Sequence, residues 1–106
     1  MIVGESQLEK AMRFLAESDA ECAELKANVQ RTEHLAKVAE ALVFKLAEGN
    51  NEERKAYARV SGEVTTKWEQ HFSAIRAYEE CRARRERAVL TVDIYRTQAA
   101  NRRAGA

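Results

Sequence analysis

Two heptad stripes that mirror each other about Asn50 constrain the fold of this chain more than any other feature. Residues recur at alternating steps of three and four, the spacing of one face of a long helix. The first stripe, of apolar and small residues, is Leu8, Ala11, Leu15, Ser18, Cys22, Leu25, Val29, Thr32, Ala36, Ala39, Val43 and Leu46. The second, in which polar side chains also occur, is Tyr57, Ser61, Val64, Trp68, His71, Ile75, Tyr78, Arg82, Arg85, Val89 and Val92. When Leu8 is paired with Val92, and so on inwards, every pair of residue numbers has the same sum. The pattern therefore predicts an all-α fold, an antiparallel two-helix hairpin resembling a coiled coil.

Composition and turn signals define the two helices. The chain has no proline and is 33% charged but only 7% aromatic, a profile typical of long helices. Gly49 suits the position after a helix C-terminus, and Ser6 begins a capping box. We expect one domain over residues 1–106, with a first helix at about 6–47, a turn at 48–51 and a second helix at about 52–103. Gly62 costs about 1 kcal/mol in a helix and is not expected to interrupt it.

A second apolar stripe on the first helix predicts self-association. It consists of Leu35, Val38 and Leu42, and it lies beside the hairpin seam. A single seam buries too little apolar surface to offset the entropy of ordering two helices of this length. We therefore expect these three residues to form the interface of a homo-oligomer, most simply a dimer that makes a four-helix bundle.

Arginines dominate the C-terminal segment. Residues 81–106 hold seven arginines against two acidic side chains, although the whole chain has a net charge of only +1. One interpretation is that this basic arm folds back and neutralises the acidic first arm, with Asp19 close enough to pair with Arg82. The other is that exposed arginines bind the phosphates of a nucleic acid. The candidate contacts for that alternative are Arg84, Arg87, Arg102 and Arg103.

No constellation of residues predicts catalysis, a metal site or a cofactor site. The two histidines, His34 and His71, lack the spacing of a di-iron helical bundle, and His71 fits a core histidine better than a ligand. Cys22 and Cys81 fall within one turn of each other across the predicted hairpin. They are expected to be reduced thiols, and a redox role for them is left open. We therefore expect that the chain is not an enzyme.

The C-terminal third resembles small all-helical accessory proteins encoded by phages and prophages. The similar segment is Tyr95-Arg96-Thr97-Gln98-Ala99-Ala100-Asn101-Arg102-Arg103, which follows Tyr78-Glu79-Glu80-Cys81-Arg82 and Arg85-Glu86-Arg87-Ala88. Some proteins of this kind lie in replication and recombination regions. The resemblance implies a bacterial or phage origin and an accessory role, and it transfers no site residue.

The N-terminus and the apolar runs bear on location. The first six residues lack the basic and apolar regions of a signal peptide, and the longest strongly apolar run is Ala41 to Phe44. We expect a cytoplasmic protein of a bacterial or phage-infected cell, without membrane contact. The expected function is a non-enzymatic interaction or structural protein that self-associates and presents a surface to a protein partner. The alternative is a nucleic-acid-binding accessory protein of phage replication or recombination.

Overall fold

Three α-helices make up the chain in a computed structural model that describes residues 2–105. They are α1 (Glu5–Leu46), α2 (Asn51–Val60) and α3 (Gly62–Gly105). Helices α1 and α3 pack antiparallel, since contacts near the start of the chain, such as Val3 N–H to Gln98 Oε1 at 3.1 Å, involve the end of α3. The predicted all-α antiparallel hairpin is confirmed. No helix within residues 2–105 is long and apolar enough to cross a membrane.

The predicted turn forms between α1 and α2. Gly49 adopts a φ of 109°, a conformation that L-residues with a side chain rarely adopt. Asn50 then caps α2, with its side-chain oxygen accepting from the backbone N–H of Glu53 at 2.9 Å. Arg54 donates from Nε to the carbonyl oxygen of Phe44 at 3.0 Å, which connects α2 to the C-terminal turn of α1.

The single second helix predicted over 52–103 is wrong, because the chain leaves helical geometry at Ser61. Ser61 has an extended backbone with ψ of 132°, so α2 ends at Val60 and α3 begins at Gly62. Ser61 nevertheless donates its N–H to the carbonyl of Ala58 and accepts from the N–H of Thr65. These two hydrogen bonds connect the break to the helices on either side and reduce the cost of an interruption beside Gly62.

The helices form two compact units. Among the described residues, unit 1 combines residues 2–23 with 79–105, and unit 2 covers residues 24–78. The core of unit 1 contains Ala11, Ala88 and Val92, against which Leu8, Phe14 and Leu15 pack partly buried. Unit 2 buries Ala36, Ala39, Ala58, Val64, His71 and Ala74. Both units are therefore built mainly on small side chains, which let helices approach closely.

Burial tests the two predicted stripes residue by residue. On α1 every stripe position from Leu8 to Val43 is buried or half-buried, which confirms the first stripe except for Leu46, which is 83% exposed. On α2 and α3 the stripe is wrong at three positions. Tyr57, Arg82 and Val89 are exposed, whereas the adjacent Ala58, Cys81 and Ala88 are buried.

Candidate interaction surfaces

An apolar ridge lies exposed on α1 within unit 2. The predicted interface residues Leu35, Val38 and Leu42 are 43%, 39% and 54% exposed. Leu46 follows at the next helical step and is the most exposed of the four. Steps of three, four and four residues place all four side chains on one face of α1, over roughly 16 Å. We call Leu35, Val38, Leu42 and Leu46 the apolar ridge.

A groove beside the α1–α3 seam of unit 2 begins on the same face of α1. Its lining is mostly uncharged: Asn28, Thr32, Thr66, Glu69, Gln70, Ser73, Ala74 and Ala77. Asn28 precedes Leu35 by seven residues, so the two side chains share a face of the helix. The ridge therefore continues into a mostly uncharged groove.

His71 occupies a buried polar position in unit 2. Its Nδ1 lies 3.1 Å from Oγ1 of Thr32, and that hydroxyl also lies 2.8 Å from the carbonyl oxygen of Asn28. The Thr32 hydroxyl and the His71 imidazole thus share a hydrogen bond. The rings of Trp68 and Phe72 pack around the imidazole at 5.7 and 6.0 Å. His71 is thus the satisfied core histidine that the sequence predicted.

Metal-binding groups do not assemble within residues 2–105. No cluster of three or more His, Cys, Asp or Glu side chains suited to a metal occurs there. His34 is exposed on α1. Glu33 forms an ion pair with Lys37 at 3.0 Å, and this contact lowers the pKa of the Glu33 carboxyl. Glu33 and Lys37 therefore form a surface ion pair along one helix.

The arginines of α3 divide into two groups. Arg82 pairs with Glu79 and Glu86 on its own helix. Arg85, in contrast, reaches α1 and lies 3.4 Å from Asp19, so the predicted pairing of Asp19 with Arg82 is wrong. Arg85 takes this acid because it lies nearer the seam, half-buried, whereas Arg82 is exposed.

The four candidate nucleic-acid contacts are all exposed. None of Arg84, Arg87, Arg102 and Arg103 has a carboxylate within 4.0 Å among the described residues. The Arg84 guanidinium lies 4.8 Å from the ring centre of Phe14, and that of Arg102 lies 6.0 Å from the ring centre of Tyr95. Both contacts are in the range of cation–π pairs, which leave guanidinium edges available for further hydrogen bonds.

Three of these arginines share one face of α3. Steps of three or four residues lead from Arg84 through Arg87 and Tyr95 to Arg102, a span of about 27 Å. Arg103 lies off this face by one helical position. We call Arg84, Arg87 and Arg102 the basic stripe.

Comparison with known proteins gives no relative for this chain. No protein-family model, no curated protein and no solved structure matches it. The resemblance of the C-terminal third to phage accessory proteins therefore stays a prediction, and function must be argued from the surfaces alone.

Proposed function

We propose that this chain is a non-enzymatic interaction protein that self-associates through the apolar ridge, most simply as a dimer. The observation that carries the proposal is the exposure of Leu35, Val38 and Leu42 on one helical face. Contiguous apolar surface of this kind marks interaction sites in proteins. A second copy offers the same face, and a two-fold axis would join ridge to ridge in a four-helix arrangement.

The small size of the buried side chains supports this proposal. Among side chains that are almost fully buried, Val64 is the largest. Leucines and aromatic residues, which contribute most per side chain to hydrophobic stabilisation, are half-buried or exposed. A copy docked on the ridge would remove leucine surface from water that the monomer leaves exposed. Association would thereby add to the stability of each hairpin.

Sedimentation equilibrium of three proteins tests the proposal. We expect the wild type to be a dimer at micromolar concentration and the double variant Leu35→Glu/Leu42→Glu to be a monomer. The matched control is Val89→Glu/Leu90→Glu in unit 1, since those side chains are similarly exposed at 47% and 56%. This control should remain dimeric. A monomeric, fully helical wild type would refute self-association, and equal dissociation of both variants would refute the ridge as the interface.

A dimer formed through the ridge would leave other surfaces of the chain available to a protein partner. The basic stripe supports nucleic-acid binding as a second candidate function. The specific observation is that Arg84, Arg87 and Arg102 lack acidic partners among the described residues and lie along one face. Arginine binds phosphate in a bidentate manner, and such contacts release counterions. A salt titration of DNA binding therefore tests this candidate, because phosphate contacts make affinity fall steeply with salt.

A further inference from the structure

The two cysteines lie opposite each other in unit 1. Arg85 of α3 donates from Nη1 to Oγ of Ser18 on α1 at 2.7 Å, which fixes the pairing of the two helices at that level. Cys22 follows Ser18 by four residues, and Cys81 precedes Arg85 by four. Because the two helices are antiparallel, Cys22 and Cys81 are both displaced from this level by one helical turn in the same direction. Both thiols are free and buried at this next level, with exposed fractions of 9% and 6%.

The two thiols are also close enough for Cys22 to affect the ionisation of Cys81. A hydrogen bond with the Cys22 thiol is the largest cause that raises the pKa of Cys81 to about 11, and burial is the second. Ser18, one turn from Cys22 on α1, is a small buried neighbour that permits close packing of the two helices at this level. A disulfide needs such an approach, because its Cα atoms are usually about 4.4–6.8 Å apart.

We propose that Cys22 and Cys81 form a site of reversible oxidation, at which a small-molecule disulfide such as oxidised glutathione converts the two thiols into a disulfide between α1 and α3. One cysteine loses its proton and attacks a sulfur of the oxidant, which breaks the oxidant's S–S bond and releases one thiol. The second cysteine then loses its proton and attacks the mixed disulfide, and the other thiol leaves. The two cysteines lose two electrons in total, and the oxidant gains them.

The position of the two cysteines in the chain gives the disulfide its consequence. It would enclose residues 23–80, including the whole of unit 2, in a covalent loop. Closing a long loop reduces the freedom of the unfolded chain and stabilises the fold. Because both thiols are buried, oxidation requires local opening of unit 1. Because the thiolate is the nucleophile, the rate of oxidation rises with pH. This site is independent of the apolar ridge.

Oxidation of the full-length protein in glutathione redox buffers tests the proposal. We expect mass spectrometry to show that the wild type has lost two hydrogens and carries no bound glutathione. Its Tm should rise by about 10 °C or more. The single variants Cys22→Ser and Cys81→Ser should show no such rise, and their remaining thiol should carry glutathione. Addition of a reductant should return the wild type to its original Tm.

A second arm removes the dependence on access to the buried thiols. The wild type is oxidised in urea, where both thiols are accessible, and is then diluted into buffer, where it folds with the disulfide already formed. A disulfide within one chain, together with a raised Tm, supports the site. Wild type that carries two glutathiones, that forms disulfides between chains, or whose internal disulfide lowers the Tm would overturn the proposal.

Discussion

Arg85 of α3 holds two groups of α1 with one nitrogen: its Nη1 donates to Oγ of Ser18 at 2.7 Å and to the carbonyl oxygen of Leu15 at 2.8 Å. Its Nη2 lies 3.4 Å from Oδ1 of Asp19, and 26% of the side chain remains exposed. The aliphatic stem therefore covers the seam while the guanidinium sits at its edge. A slip of one turn between the helices would break all three contacts, so Arg85 specifies the register of unit 1.

Replacement of Arg85 should cost more stability than replacement of its exposed neighbour. We expect Arg85→Ala to lower the free energy of unfolding by about 2 kcal/mol, because it removes charge-assisted hydrogen bonds and leaves Ser18 buried without this partner. Arg82→Ala should cost less than about 0.5 kcal/mol, since its ion pairs are exposed. Urea denaturation of both variants measures the difference, and similar losses would contradict a role for Arg85 in the register.

Two glycines should respond in opposite directions to alanine. At Gly49, where φ is 109°, a methyl group would lie 2.9 Å from Oε2 of Glu53. We expect Gly49→Ala to destabilise the protein by about 1–2 kcal/mol. At Gly62 a methyl group meets nothing within 4 Å, so Gly62→Ala should stabilise α3 by about 0.5–1 kcal/mol. Thermal unfolding gives the sign of each effect, and a stabilising Gly49→Ala would show that the turn differs from the one described.

Stability should fall in alkaline solution through Cys81. Its pKa is raised from 9.0 to about 11 in the folded protein, so the unfolded chain releases the thiol proton first as the pH rises. The contribution of Cys81 to stability is therefore fully present below pH 9 and is lost progressively as the pH approaches 11. Under reducing conditions, urea denaturation of the wild type should show a steeper decline across this range than Cys81→Ser. Lysines and tyrosines titrate in both proteins and lower the stability of both. If the stability of the two proteins declined in parallel, the Cys81 thiol would make no contribution.

The periodicity of the sequence predicted the hairpin, yet it selected the larger of two adjacent residues at three positions. It favoured Tyr57, Arg82 and Val89, whereas the structure buries the neighbouring Ala58, Cys81 and Ala88. In each pair the buried residue is the smaller one. A heptad template assumes helices separated by large side chains, but closely packed helices select small ones. The spacing between the helices is a tertiary property that the period does not encode.

The sequence predicted the exposed surfaces only in part, again because some contacts depend on how the two helices pair. The exposure of Leu35, Val38 and Leu42 follows from their position beside a correctly assigned seam, whereas Leu46 was assigned to the seam and lies in the ridge. The ring contact of Arg84 joins it to Phe14, a residue far away in the sequence. Such a contact depends on the pairing of two helices, and charge counting along the chain could not reveal it.

Charge removal from the C-terminal arginines should separate a role in binding from a role in folding. Since Arg84, Arg87, Arg102 and Arg103 make no ion pair with the described carboxylates, we expect their joint replacement by glutamine to preserve helicity and to change Tm by only a few degrees. If the basic stripe binds phosphates, the wild type should bind DNA with an affinity that falls steeply with salt, and each lost contact should reduce the slope by about one.

A charge-matched control makes this test specific. Arg13, Arg31, Arg59 and Arg76 lie outside the C-terminal segment, and replacing them by glutamine removes the same net charge. Fluorescence anisotropy with a labelled duplex over a salt series should show binding by the wild type and this control, and none by the C-terminal variant. Equal binding by both variants would assign the attraction to net charge rather than to the stripe. A large loss of Tm in the C-terminal variant would instead assign these arginines to the fold, for example through the contact of Arg84 with Phe14.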